Sequence, residues 1–578
     1  MKVQYITPKF EQKLNNNNND EQPRFTGAMD IVTGGLRFFE TNQAWGANAV
    51  DLGSMVIPRT WTDMRKRGPQ AGTETFIRES CGTFNHSMVG VYGTIAGMAL
   101  AAAFNNKYDI KAHRIYADNN AIDIMASEWH ASLKNYLENG GTLTKDSTGQ
   151  YSVLPKEIKK DFANNILSRI STFNNGYKTI SDDAKDMLID DIVHNMEDAE
   201  IFKNQKNHYK KFMKKLFNER LERIVNVISE ATGGKETAKL DNGVRTSTTT
   251  LRTTVENILN ISKTFVQDNV IDEFINTDIH TNNKFVKGLK SLNLKRSALG
   301  LGFAALFGMS VQPVNRYLTK KRTGSDGFVG VEGRQKDDSK SFALMKVVTG
   351  LALGIGALAT ITTNPSKFLS KLQFKGMTPT INQLKFVYGM TIMSRLFAAR
   401  DKDELRESAI KDTLGFLNLL IIGSLVTKGA VMALDKSKSL LNTAEKSTNV
   451  FKRFINSTLK TKDEVLIEGL KKAEVSTLGE HGKALSFSKM MKLLPEADKV
   501  TRGKLKVLNL AQLIGYAYSA LVLGIGIPRL NIYMTNKREA RNNAKKMAEQ
   551  PTAPIETSQA NNEFLKSKMV NFYGNRAA

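Results

Sequence analysis

The residues with types and spacing suited to chemistry crowd into one stretch. Pro58–Glu79 reads PRTWTDMRKRGPQAGTETFIRE and leads into SCGTFNHS. Arg59, Asp63, Arg78 and Glu79 would make a polar site at a membrane surface. Cys81, the only cysteine, would be a nucleophile with His86 as its base. The second arrangement is poor, because side chains five apart on a helix diverge and no third group orients the base. The reading without chemistry is an amphipathic re-entry whose charges pair with each other or with lipid, and that is the expectation carried forward.

Other chemistries find less support. A single cysteine excludes an internal disulfide, a CxxC pair and a Cys-rich zinc site. The histidines are scattered without HExxH or metal spacing, and Glu128 and His130 fall on different sides of a helix. The loop TGSDGFVGVEGR lacks the GK[ST] ending of a phosphate cradle. The basic helix Lys203–Arg223 has acidic neighbours that oppose nucleic acid. No catalytic residue, metal, cofactor or nucleic-acid partner is expected.

The elements that must position these residues are apolar. Five runs stand out: Met88–Phe104, Ser297–Val314, Val347–Thr362, Thr413–Leu434 and Val507–Leu530. A sixth, Leu384–Ala399, is interrupted by Lys385 and Arg395. They approach the length that spans hydrocarbon and are apolar all round. Small residues recur four apart within them, at Gly93 and Gly97, at Gly300, Ala304 and Gly308, and at Gly350 and Gly354. Such seams let helix backbones approach closely in a bilayer, within one chain or between copies. Basic residues flank the runs on both sides, so the positive-inside rule leaves orientation open.

Two runs end alike. PVNRYLTKKR (313–322) and PRLNIYMTNKR (528–538) share an asparagine, a tyrosine, a threonine and a basic pair. Pro313 and Pro528 are expected to end or kink the helices. Tyr317 and Tyr533 suit the headgroup layer, and Lys321, Arg322, Lys537 and Arg538 suit water and anionic lipid. As interfacial anchors, both sets would lie on one face. That requires an even number of crossings between them.

Composition agrees with a membrane setting. The formal net charge is +25, and most of it lies after Arg296, among the apolar runs. The opening MKVQYITPKFEQKLNNNNND has no apolar signal core, and its Asn run reads as a solvated lead-in. Between the first and second runs the chain is polar and helical. Asp118 or Asn119 caps a helix to Asn139, Ser181 opens an acidic helix, and another helix runs from Thr250 to Ile275. Phe212, Leu216, Leu221, Val225 and Ile228 form one face of a basic helix, and Thr461 with Glu464 supplies a capping box.

RFTGAMD, FFETNQAWGANAVDLGSMVIPRT and GPQAGTETFIRE…GTFNHSMVGVYGTIAG resemble the opening of a family of multipass membrane proteins from host-associated bacteria. The similarity covers roughly residues 24–118, and NRYLTKKRTG is similar as well. It implies a membrane location, and no activity or functional residue comes with it.

The expected fold is all-α: a multipass membrane protein with a larger polar helical domain after the first run and a smaller insert before the last. The expected divisions are a lead-in at 1–26, a first membrane region at 27–104 and a polar domain at 105–296. Membrane helices at 297–434, with a Gly-rich loop at 323–340, precede an insert at 435–503, a last segment at 504–538 and a polar tail at 539–578. The expected role is structural or interaction-based at a bacterial inner membrane, with lipid and a protein partner or second copy as partners. The alternative is a transporter or channel component, whose polar path would use Thr349, Arg395 and Asn418.

Overall fold

The computed structural model describes residues 28–549, apart from 42, 148, 203–208, 278–281, 328, 330–334, 377, 438, 443–453, 455–456, 476–486 and 495–498. The expected lead-in and residues 550–578 of the expected tail lie outside the described residues. The chain is 78% helical with almost no sheet. Among the described residues, strand is confined to two antiparallel pairs: β1 (Thr237–Asp241) with β2 (Thr246–Thr250), and a short pair at 441–442 and 458–459.

Helix starts follow side-chain chemistry. Asp118 accepts from the Ala121 amide, Ser181 from Ala184 and Thr250 from Thr253. Each oxygen satisfies an N–H that a helix terminus leaves free. Thr461 and Glu464 form the expected capping box, and Thr380 with Gln383 forms another. The helix expected over Thr250–Ile275 is two, Leu251–Phe265 and Asp268–Asn276, broken at Val266 and Gln267.

The apolar helices pack together as a bundle. A lead segment comprises α1 (Ala28–Thr41), α2 (Gln43–Val50), a π-helical stretch (Asp51–Val56) and α3 (Ile57–Arg67). Then come α4 (Pro69–Tyr108) and, after the polar domain, α5 (Lys284–Thr323), α6 (Lys340–Ala359), α7 (Ile381–Phe397) and α8 (Lys402–Leu417). A π-helical stretch (Asn418–Ile422) joins α8 to α9 (Gly423–Leu434). After the insert, α10 (Lys499–Tyr518) passes through a further π-helical stretch (Ser519–Gly526) into α11 (Ile527–Glu549).

Among the described residues, four helices are long and apolar enough to cross a membrane: Pro69–Tyr108, Lys284–Thr323, Lys340–Ala359 and Lys499–Lys545. No more than 39% of any of their apolar windows is buried inside the chain. Ile95, Leu299, Phe303, Leu306, Val348, Ile355 and Leu521 all point outward. An outward apolar belt of this extent is disfavoured in water and favoured in lipid. The run Thr413–Leu434 is not among them; after the π-helical turn its apolar part is the short α9.

Neither proline ends its helix. Pro313 lies inside α5, and Pro528 lies just where the π-helical stretch Ser519–Gly526 continues into α11, inside the continuous helix Lys499–Lys545. Pro313 would leave the Met309 carbonyl without its helical donor. The Ser394 hydroxyl supplies one at 2.8 Å.

Two folded bodies cap one end of the bundle. The polar domain is built on Trp129, Phe162, Phe265, Phe274 and Phe285. The insert packs Val465, Leu466 and Leu470 on Val431, Leu505 and Leu508 of the bundle. The two bodies touch where Lys471 donates to the Glu230 carbonyl.

Candidate functional site: a buried ionic layer

The charged stretch Pro58–Glu79 folds into the α3–α4 corner. Gly68 has φ of +91°, a conformation open to glycine, and turns the chain so that Pro69 starts α4. Arg59, Asp63, Arg67, Glu74 and Glu79 are then carried inward. Their partners come from another corner, α7–α8. Arg67 forks onto Glu407 at 2.7 and 3.0 Å, while Arg400 forks onto Glu74 at 2.5 and 3.3 Å. Arg395 bridges Glu79 at 2.9 Å and Asp412 at 2.7 Å. Arg316 reaches Glu404 at 3.1 Å, and Arg59 lies 3.6 Å from Glu79. Thr75 donates to Asp63 at 2.6 Å and Thr83 to Asp51 at 2.5 Å. Within the stretch, Arg59 and Arg78 pair with Glu79. Arg67, Glu74, Glu79 and Asp63 take partners at 395–412, which the expectation of charges pairing among themselves or with lipid did not include.

A signal for those partners was present in the sequence. At one constant offset, Arg67, Glu74, Ile77, Gly82, Asn85, Gly90 and Thr94 match Arg400, Glu407, Ile410, Gly415, Asn418, Gly423 and Thr427. Thr75, Arg78 and Glu79 match Ser408, Lys411 and Asp412 conservatively. The contacts are reciprocal, as two-fold symmetry requires. Arg67 meets Glu407 and Arg400 meets Glu74. A Cβ on Gly82 would touch Arg395, and one on Gly415 would touch Arg59. Asn85 donates to the Ala304 carbonyl at 2.8 Å, and Asn418 donates to the Ser519 hydroxyl at 2.9 Å.

The shared exit belongs to the same symmetry. Asn315 donates to the Glu74 carbonyl at 2.9 Å, and Asn531 donates to the Glu407 carbonyl at 3.2 Å. Thr319 and Thr535 are fully buried, and Thr535 donates to the Glu407 carboxylate at 2.5 Å. Tyr317 and Tyr533, two residues beyond each asparagine, are 67% and 61% exposed. Lys321, Arg322, Lys537 and Arg538 are exposed beyond them, with Arg538 3.3 Å from Asp403. The motif therefore has two faces: the asparagines, and Thr535 in the second copy, tie each helix to a corner, Thr319 is buried on the Asn315 carbonyl of its own helix, and Tyr and the basic pair face outward.

The core is thus two copies of one unit: a lead helix, a helix leaving the ionic layer, and a helix returning to it. The copies exchange lead helices. α7 packs on α5 of the first copy, whereas α3 and its π-helical stretch pack on the 519–526 segment and α11 of the second. Between the copies, α6 and α7 run antiparallel, with Lys346 on the Ala399 carbonyl and Lys385 on the Thr360 carbonyl. Both exits therefore end at one layer.

The glycine seams are filled within the chain. A Cβ on Gly300 would lie 2.7 Å from the Gly93 Cα, and Gly93 and Gly97 are closed by Phe374 and Arg296. Gly308 faces Thr391 and Asn85, Gly350 faces Phe397, and Gly354 faces Met393.

Other candidates come apart. His86 stacks on Tyr388 at 5.1 Å and makes no hydrogen bond to Cys81. Glu128 pairs with Arg169 at 2.6 Å. Of the three path candidates, Arg395 and Asn418 meet the partners given above and Thr349 is half-buried on α6. No group of three His, Cys, Asp or Glu side chains suited to a metal occurs among the described residues. Comparison with protein-family models, curated proteins and solved structures finds no match to the chain.

Proposed function

We propose that this is a multipass integral membrane protein, without catalytic activity, that holds its polar domain and insert at one membrane face for structural or interaction purposes. The carrying observation is the outward apolar belt on the four long helices. Lipid covers that belt, and the exit tyrosines and basic residues lie at its edge as anchors. In this reading the lead segment, α4, α5, α6, α7, α8–α9 and α10–α11 all cross. The lead segment adds a crossing because Ile31, Phe38, Trp45, Leu52 and Trp61 face outward along it. Membranes from expressing cells should retain the protein through alkaline carbonate and release it only into detergent. Recovery of a monodisperse soluble monomer without detergent would refute the reading.

A second reading, a solute-handling component, is favoured by one observation: a charged pocket lies between the two copies. Parallel repeats related by an axis along the membrane normal commonly place solute sites at the repeat interface.

A further inference from the structure

The internal repeat leaves one position filled in one copy and open in the other. Gly53 of the π-helical stretch, with Ile57, Arg59 and Trp61 of α3, matches Gly389, Met393, Arg395 and Phe397 of α7 at one constant offset. Packing agrees with that register. Gly308 of α5 faces Thr391, while Gly524, its match in the second copy, faces Ser54 and Pro58. Ser394, the match of Pro58, donates to the Met309 carbonyl beside Gly308.

In the second copy α6 covers this face. Met393 and Phe397 lie against Gly354 and Gly350, and a Cβ on Gly389 would come 3.1 Å from the Ala357 Cβ. Gly389 is buried, and Met393 and Phe397 are half-buried. Helix backbones approach this closely where small residues line the seam. In the first copy the matching face is bare among the described residues. A Cβ on Gly53 would meet nothing within 4 Å, and Ile57 and Trp61 are 57% and 62% exposed.

The chain does not supply the missing helix. At the same offset α6 corresponds to residues 4–23, QYITPKFEQKLNNNNNDEQP, whose charges and asparagines are too polar for hydrocarbon. Lipid gives Gly53 nothing to pack against, and a glycine weakens a helix relative to alanine. At Gly389 the missing side chain is what admits Ala357.

We propose that the face formed by Gly53, Ile57 and Trp61 is the docking site for a membrane-spanning helix of another protein. That helix runs antiparallel to α3, as α6 does to α7, and sets Gly or Ala residues four apart against Ile57 and Trp61. Such docking deepens the interaction role proposed above and rests on the membrane reading for its setting.

The test uses the full chain in lipid vesicles, in a Cys81→Ser background. The probe is a synthetic peptide of residues 340–359 carrying Gly354→Cys. Under copper phenanthroline, Ile57→Cys should form a disulfide with the peptide in several-fold higher yield than Leu306→Cys, an outward position on α5 that is 68% exposed. Adding Gly53→Phe, which fills the notch on an open face, should bring the yield down to the Leu306→Cys level. Equal yields at Ile57→Cys and Leu306→Cys would overturn the proposal and leave lipid on the face. So would a yield unchanged by Gly53→Phe. Disulfide-linked dimers of the Ile57→Cys chain that exclude the peptide would overturn it too, by giving the face to a second copy. None of these results would bear on membrane integration, which the carbonate extraction tests separately.

Discussion

At the scale of single residues, the ionic layer gives the firmest predictions. A buried ion pair adds little net stability over an apolar pair, but removing one member leaves the other uncompensated, at about 3–5 kcal/mol. Arg67 and Glu407 are each at most 5% exposed at the side chain, so this regime applies. Glu407→Arg should therefore lower the unfolding midpoint in detergent strongly, by placing two guanidinium groups together. Arg67→Glu with Glu407→Arg should recover part of the loss. Recovery will be incomplete, because Thr535 also donates to Glu407. A double variant no more stable than the worse single variant would show that the pair is not a direct contact. The exit motif separates by face in the same way. Asn315→Ala removes a buried donor to the Glu74 carbonyl and should destabilise by about 1–3 kcal/mol. Tyr317→Leu, at an outward position, should change the midpoint little. Equal effects would contradict the two-faced assignment.

At the scale of elements, the sequence and the structure diverge for identifiable reasons. Caps were legible because they depend on three or four consecutive residues: Thr461 acts as read, Asp118 is the one of the pair Asp118 and Asn119 that caps, and Ser181 caps the acidic helix it opens. Membrane-length helices were legible from hydropathy. Helix continuity was not, because it depends on distant groups. Pro313 reads as a helix end until Ser394, from another helix, is seen to hydrogen-bond the carbonyl that the proline orphans. The π-helical turn at Asn418–Ile422 likewise has no local signature in an apolar run. The Ser394 interaction can be isolated by a double-mutant cycle. Ser394→Ala should cost about 1 kcal/mol by removing a donor from a part-buried carbonyl. In a Pro313→Ala background, residue 313 regains an amide that can serve Met309, and the cost should fall markedly. A cost unchanged by the background would mean that the serine matters for another reason.

At the scale of the whole molecule, the candidate site was half legible. Glu74, Glu79 and the basic cluster of α3 stood out as unusual, yet their partners lie more than three hundred positions away and only the matched spacing around Arg400 and Glu407 betrays them. The contact between the polar domain and the insert is a separate device. Burial, together with the neighbouring Asp463 and Glu40 carboxylates, raises the Glu236 carboxyl from 4.5 to about 8 against the opposing effect of Arg37. Between those values the folded state holds a proton that the unfolded state has released, so stability falls as pH rises from about 4.5 to about 8. The unfolding midpoint should decline over that window, and Glu236→Gln should flatten the decline. An unchanged slope in the variant would remove Glu236 as its source.

The central claim is that two parallel copies bring both exits to one membrane face. In the proposed reading α6, α7, α8–α9 and α10–α11 all cross between them, which makes the number even. Thr319 and Thr535 are buried, so the exposed Lys321 and Lys537 are the positions to label. Lys321→Cys and Lys537→Cys, each in a Cys81→Ser background, should react with a membrane-impermeant maleimide from the same side of sealed vesicles. Labelling from opposite sides would contradict the parallel repeat and the shared ionic layer with it.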